Sequence, residues 1–84
     1  MKTIRYFKSE RDLNNAILYE GFGRAMRQKR NVKIMTQDQL AKLVGLSRTS
    51  IVNIEQGRQR VLLDQADRIA KALDVKLCDL LPCG

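Results

Sequence analysis

The segment from Gln37 to Glu55 constrains the fold most, because its capping and apolar residues recur where two short helices joined by a tight turn need them. Thr36 and Gln39 form a capping box that starts the first helix. Gly45 stands where that helix must end, at a position that favours a left-handed glycine, and Ser47 supplies an N-cap for the second helix. The helical spacing predicts a buried face made of Leu40, Ala41, Leu43, Val44, Ile51 and Ile54. The segment therefore predicts a helix-turn-helix.

The positive charge of the chain is concentrated around this segment. The 84 residues suffice for one small domain and carry a net charge of +7. Residues 22–60 hold nine Lys or Arg against two acidic residues, which already amounts to +7, whereas the flanking segments nearly cancel. Such a localised basic surface is typical of a protein with a polyanionic partner. The alternative is a basic surface that only contacts solvent.

Several classes of protein are not expected from the composition. No apolar run is long enough to cross a bilayer, and the first residues lack the pattern of a signal peptide. Cys78 and Cys83 are not in a CxxC spacing and the chain contains no histidine, so no zinc or other cofactor is expected. Two thiols fit a reducing cytoplasm, with Cys78 in the core and Cys83 in a loose tail. No acid pair, thiol–base arrangement or phosphate loop is recognisable, so we do not expect an enzyme.

The rest of the chain is predicted to be helical, except at its start. The β-branched and aromatic stretch Thr3 to Lys8 predicts a short strand, and a helix should begin near Glu10. Glycines at 21 and 23 predict a break near Tyr19 to Gly21, since each costs about 1 kcal/mol in a helix interior. A further helix is predicted from Phe22 to about Asn31. After the motif, two apolar stripes predict a fourth helix and a short last one: Leu63, Ala66, Ile69, Ala70 and Leu73, then Leu77, Leu80 and Leu81.

These elements predict an all-α fold in two parts. Residues 21–84 would form a five-helix helix-turn-helix domain, and residues 1–20 an N-terminal extension made of a short strand plus a helix. A lone strand cannot satisfy its own backbone hydrogen bonds. We therefore hypothesise that residues 3–8 pair with those of a second copy as a two-stranded ribbon in a homodimer. The alternative is a loose or simply extended arm.

Three stretches of the sequence carry a family likeness. FGRAMRQKR, MTQDQLAKLVGLSRTSIVNIEQGR and ADRIAKALDVKLCDLL occur in that order between Phe22 and Leu81. This part of the chain resembles the Cro and phage-repressor (xenobiotic-response-element) type of helix-turn-helix regulators. The resemblance implies a sequence-specific DNA-binding domain that is usually dimeric and usually regulates transcription. The chain departs from the family pattern at Ile34, where glycine is common, and at Val61 and Leu62, where proline and a capping residue are common.

The resemblance also implies roles for individual residues. In such proteins the second helix of the motif lies in the major groove with its first residues at the base edges. That helix runs here from Arg48 to about Glu55. Arginine can pair with guanine, asparagine with adenine, and threonine or valine can contact a thymine methyl group. The candidates for base contact are Arg48, Thr49, Val52 and Asn53, and the candidates for phosphate contact are Gln37, Lys42, Ser50, Arg58 and Arg60. The alternative for each is a solvated surface side chain.

Arg30 and Glu55 have a different predicted role. In the repressors that the chain resembles, these two positions form a partly buried ion pair, so the pair would be structural. The alternative is that Arg30 points at a DNA phosphate.

Two functions are compatible with these features. The first is a homodimeric DNA-binding transcriptional regulator of bacterial or phage origin, acting in the cytoplasm at the nucleoid. It would repress by occupying an inverted repeat whose half-sites lie about one helical turn apart. The alternative is an antitoxin whose residues 1–19 bind a toxin protein, while the helix-turn-helix regulates its own operon.

Overall fold

Four α-helices and one short 3-10 helix form the part of the chain described by the computed structural model, residues 10–82, with side chains described from residue 15 onward. The α-helices are α1 (Glu10–Val32), α2 (Gln37–Val44), α3 (Arg48–Glu55) and α4 (Leu63–Ala72), and the 3-10 helix spans Leu77–Leu80. Within these residues the fold is all-helical, as predicted. The expected number of five helices is wrong, because there are four α-helices and the last segment is only a single tight turn of 3-10 helix.

The predicted break near residues 19–21 does not occur, because α1 runs without interruption across both glycines. A Cβ atom at Gly23 would overlap the backbone carbonyl oxygen of Ile54 and would lie 2.7 Å from that of Glu55. A Cβ atom at Gly21 would lie 3.0 Å from the Pro82 ring. Gly23 therefore allows α1 to approach α3 closely, a packing requirement that outweighs its low helix propensity, whereas Gly21 lies only against the Pro82 ring.

The caps of the helix-turn-helix are confirmed. Thr36 Oγ1 accepts a hydrogen bond from the Gln39 backbone N–H at 3.0 Å, and Gln39 Oε1 accepts one from the Thr36 N–H at 2.8 Å. Gly45 ends α2 in the left-handed conformation, with φ 72°. Ser47 Oγ accepts the N–H of Ser50 at 3.0 Å and starts α3. The residues at the helix ends thus determine where α2 begins and ends and where α3 begins.

One core joins the four α-helices to the 3-10 helix. α3 contacts α1 and α2, while α4 contacts α2 and the 3-10 helix. Met26, Leu40, Ile51, Ile54, Ile69 and Leu80 are fully buried. α3, the second helix of the motif, is thereby held from two sides.

Four residues predicted to be buried are exposed, among them Leu81, which follows the 3-10 helix and is 39% exposed. Leu43 is 64% exposed, because Leu40, Ala41 and Val44 occupy the inner face of the short α2 and leave Leu43 on its flank. Leu63 is exposed at the first position of α4. Cys78 is exposed because Leu80 turns into the core from the 3-10 helix.

Two predictions fall on residues for which the structure gives no description. The strand at residues 3–8, with its dimeric ribbon, and the terminal Cys83 lie outside the described residues. α1 crosses the predicted division between residues 1–20 and 21–84 without a change of structure. That division stays a prediction.

Candidate nucleic-acid interface

The outer face of α3 carries the predicted base-contacting residues. Ile51 and Ile54 anchor the inner face of α3 in the core with no exposed surface. Arg48 and Thr49 are exposed, and Val52 and Asn53 are half-buried. This helix therefore presents one side to the protein and an opposite side, near its N-terminus, to solvent.

A buried ion pair holds the other end of α3. Arg30 Nε donates to Glu55 Oε2 at 2.6 Å and Arg30 Nη2 to Glu55 Oε1 at 3.1 Å, a two-pronged arrangement in which both residues are 9% exposed. Arg30 Nη1 also donates to the Met35 carbonyl oxygen at 2.8 Å. The guanidinium thus joins α1 to α3 and to the turn before α2, with Nε, Nη1 and Nη2 each donating to a protein acceptor. Such fork geometry is the strong form of an ion pair.

Gln37 makes a contact that sequence reasoning missed. Its Nε2 donates to Glu55 Oε1 at 3.1 Å. The side chain predicted to meet the DNA backbone is therefore bonded to the same carboxylate as Arg30. Two residues 18 positions apart give no local signal for such a bond.

An open cavity of about 660 Å³ lies between α1, the start of α2 and α3. It brings together Gln37, Arg48 and Val52 from the predicted site and adds Arg27, an exposed residue that was not among the candidates. Arg27 lies one helical turn before Arg30 in a basic run, and that spacing was its only signal. The full lining is Arg27, Arg30, Thr36, Gln37, Asp38, Arg48, Val52, Glu55 and Gln56. Three of these nine residues are arginines, as suits a surface that meets phosphates.

The remaining candidates lie elsewhere. Lys42, Arg58 and Arg60 are exposed, and none of them lines this cavity. Lys42 lies instead beside Ile34 and Leu43 on a separate depression. The Ser50 hydroxyl accepts from Ser47 Oγ at 3.1 Å and so takes part in capping α3.

In the described part of the chain there is no group of three His, Cys, Asp or Glu that could hold a metal ion, and no helix long and apolar enough to span a membrane.

The fold and the outward face of α3 define a helix-turn-helix DNA-binding domain. The helix-turn-helix family model HTH_3 matches residues 26–80. The chain belongs to this family of Cro/C1-type DNA-binding transcription regulators.

Similar proteins include controller proteins. Control protein C.BamHI of Bacillus amyloliquefaciens is 46% identical over 61 residues, which cover 71% of this chain and 75% of that one. The crystal structure of the restriction-modification controller protein C.AhdI from Aeromonas hydrophila superposes with a TM-score of 0.71 and 34% identity, over 74% of this chain and 94% of that one. These comparisons give the antitoxin alternative no support.

An enzyme also shares the fold. Hydroxypropylphosphonic acid epoxidase from S. wedmorenis matches with a TM-score of 0.73 and 27% identity, over 77% of this chain but only 35% of the enzyme. The likeness is confined to the shared fold. The family of this chain comprises transcription regulators and not enzymes.

Proposed function

We propose that the chain is a homodimeric transcriptional repressor that recognises an inverted repeat in DNA through α3. The observation that carries this proposal is the two-sided character of α3. Its inner side is fully buried at Ile51 and Ile54, and its outer side exposes Arg48 and Thr49 beside a cavity lined with arginines. A recognition helix needs this combination of a rigid inner face and unoccupied polar groups outside.

The outer side of α3 carries the groups that distinguish bases. Arg48 can donate two hydrogen bonds to guanine, and Asn53 can pair with adenine. Thr49 and Val52 offer methyl groups to thymine. Gln37, Lys42, Ser50, Arg58 and Arg60, joined by Arg27, bind the phosphates and set the register of the protein on the duplex.

A second copy has a suitable apolar surface. A groove of about 200 Å³ lies between α1, α4 and the 3-10 helix. Leu63, 76% exposed, and Leu18 and Leu81, both more than a third exposed, line it. Exposed leucines clustered around a groove favour association, and a two-fold pair of subunits matches an inverted repeat. In this proposal residues 1–20 form an extension that is continuous with the domain through α1, and the ribbon at residues 3–8 would add to the dimer.

The dimer surface is tested with a matched pair of charge substitutions. Leu63→Glu should convert the dimer to a monomer in sedimentation velocity, because two carboxylates would be buried at the two-fold contact. Leu43→Glu, at a leucine that is 64% exposed but outside the groove, should leave the mass unchanged. A dimer that survives Leu63→Glu contradicts this location of the interface.

The relatives suggest which genes are regulated. Because controller proteins are among them, we propose that the chain controls a restriction-modification locus. Occupancy of an operator that overlaps a promoter suffices to exclude RNA polymerase, which gives repression. A regulator of this kind acts in the cytoplasm, at the nucleoid.

The experiment that tests the function is selection of bound duplexes from a random DNA pool. We expect enrichment of an inverted repeat with half-sites separated by about one helical turn, ~34 Å. A transcription assay on the natural promoter then gives the direction of regulation. A pool that yields no enriched sequence contradicts the proposal.

A further inference from the structure

Glu55 receives hydrogen bonds from two different elements. Arg30 of α1 donates twice, and Gln37 at the start of α2 donates once, to Oε1 at 3.1 Å. The Glu55 side chain is 3% exposed, whereas Gln37 is only partly buried. A buried charge on α3 thus holds a side chain that reaches the surface.

The chemistry of a carboxylate determines which way the Gln37 amide faces. An ionised carboxylate can only accept hydrogen bonds, so it attracts the Nε2 end of the amide and repels the Oε1 end. One of the two Nε2–H groups is taken by Glu55. The second remains a donor, and a phosphate oxygen accepts from such a group.

The surroundings suit a phosphate in spite of the nearby carboxylate. The charge of Glu55 is compensated by the two-pronged contact with Arg30. Gln37 lines the same open cavity as Arg27 and Arg48, two exposed arginines. A phosphate at Gln37 would therefore lie in a cavity lined by two exposed arginines and a single exposed acidic residue, Asp38.

We infer that Glu55 is a positioning residue for DNA binding: it orients the Gln37 amide so that its second N–H meets a backbone phosphate. The inference rests on the proposed function. It assigns to the ion pair a role beyond stability, since the carboxylate that binds Arg30 also fixes the orientation of the Gln37 side chain before DNA binds. A side chain that is already held in its bound orientation gives tighter binding, because less side-chain freedom is lost on binding.

The orientation of Gln37 is tested first in the free protein. Loss of Glu55 alone leaves Arg30 unpaired and can unfold the chain, so the variant used is Arg30→Met with Glu55→Leu, which keeps the net charge and the side-chain volume. We expect the ¹⁵N order parameter of the Gln37 side-chain amide to be high in the wild type and to fall below about 0.6 in this variant. An equally mobile amide in both proteins overturns the inference.

Affinity for DNA supplies the second test. On the selected duplex, Gln37→Ala should weaken binding roughly tenfold, the equivalent of one charge-assisted hydrogen bond. The Arg30→Met/Glu55→Leu variant, checked for folding by circular dichroism, should lose a similar factor. Combining all three substitutions should lose little more than Gln37→Ala alone, because Glu55 acts on DNA binding through the Gln37 side chain. Gln28→Ala, at an exposed glutamine of α1 away from the cavity, serves as the control and should bind as the wild type does.

The outcomes separate the inference from the proposed function. Losses that multiply to roughly a hundredfold mean that Gln37 acts without Glu55, and this overturns the inference alone. A wild type that binds no selected duplex overturns the proposed function and, with it, the DNA-binding role of Glu55.

Discussion

The two ends of α3 are held in opposite ways. At the C-terminal end, Ile54 is fully buried and Glu55 is bound by Arg30. Gly23 lets α1 approach so closely that a side chain there would meet the carbonyl groups of both residues. This end is enclosed by side chains and backbone from α1.

At the N-terminal end, the ties are local. Ser47 caps the helix by accepting the Ser50 N–H, and the Arg48 and Thr49 side chains extend from the surface. The buried end of α3 therefore fixes the orientation of the helix, and the exposed end carries the side chains for recognition. Substitutions at the buried end should cause the largest losses of stability, and those of the exposed side chains at the other end should lower DNA affinity with little effect on stability.

The largest effect is expected at the buried ion pair. Glu55→Leu should lower the free energy of unfolding by about 3 to 5 kcal/mol, because it leaves the Arg30 guanidinium buried without a counter-charge. Urea titration followed by circular dichroism measures it. Adding Arg30→Met should restore most of the loss. A single variant as stable as the wild type would mean that this end is not held by the pair.

The next largest loss of stability is expected where α1 approaches α3 closely. Gly23→Ala should cost about 1 to 3 kcal/mol in the same titration, because its Cβ would collide with backbone that cannot move without displacing α3. Gly21→Ala is the matched control. Its Cβ would meet only the ring of Pro82, near the end of the described residues, and its higher helix propensity offsets that contact. Equal losses for both variants would contradict the special closeness of α1 and α3.

At the recognition face, Asn53→Ala should weaken binding to the selected duplex by about 1 to 3 kcal/mol and leave stability nearly unchanged. Fluorescence anisotropy on the selected duplex and on a random one measures the difference between the two. If affinity for both duplexes fell equally, Asn53 would not read a base.

The cap at the exposed end should matter moderately for folding. Ser47→Ala removes the acceptor of the Ser50 N–H and should lower the free energy of unfolding by about 1 kcal/mol. Thr49→Ala, two positions along on the exposed face, is the control and should be nearly neutral in the same titration. A cap variant as destabilised as Glu55→Leu would erase the contrast between the two ends.

The smallest effect on DNA binding is expected in the loop that follows α3. Arg58→Ala should weaken binding to specific and random duplexes alike, and the slope of log K against log salt should become shallower by about one. Titrations at several salt concentrations measure this slope. An unchanged slope would remove Arg58 from the phosphate contacts.

Much of the helix-turn-helix was predictable because its signals are local. The Thr36 and Gln39 capping box, Gly45 and Ser47 each act within a few residues, so the sequence alone located both helices of the motif. The family likeness pointed to the Arg30 and Glu55 positions.

What was missed depends on distant packing. The glycines of α1 indicate a break when only local propensity is considered, whereas Gly23 is required by contact with Ile54 and Glu55, more than thirty residues away. The exposure of Leu43 depends on which face of α2 the other helices cover. The hydrogen bond from Gln37 to Glu55 and the position of Arg27 in the same cavity likewise depend on the assembled fold.

Repeating the random-pool selection with Arg48→Ala shows whether the exposed end of α3 reads bases. We expect the same inverted repeat and spacing as for the wild type, with sequence preference lost at a single symmetric position in each half-site. An unchanged preference at every position, with affinity lowered uniformly, would contradict base reading by this end of the helix.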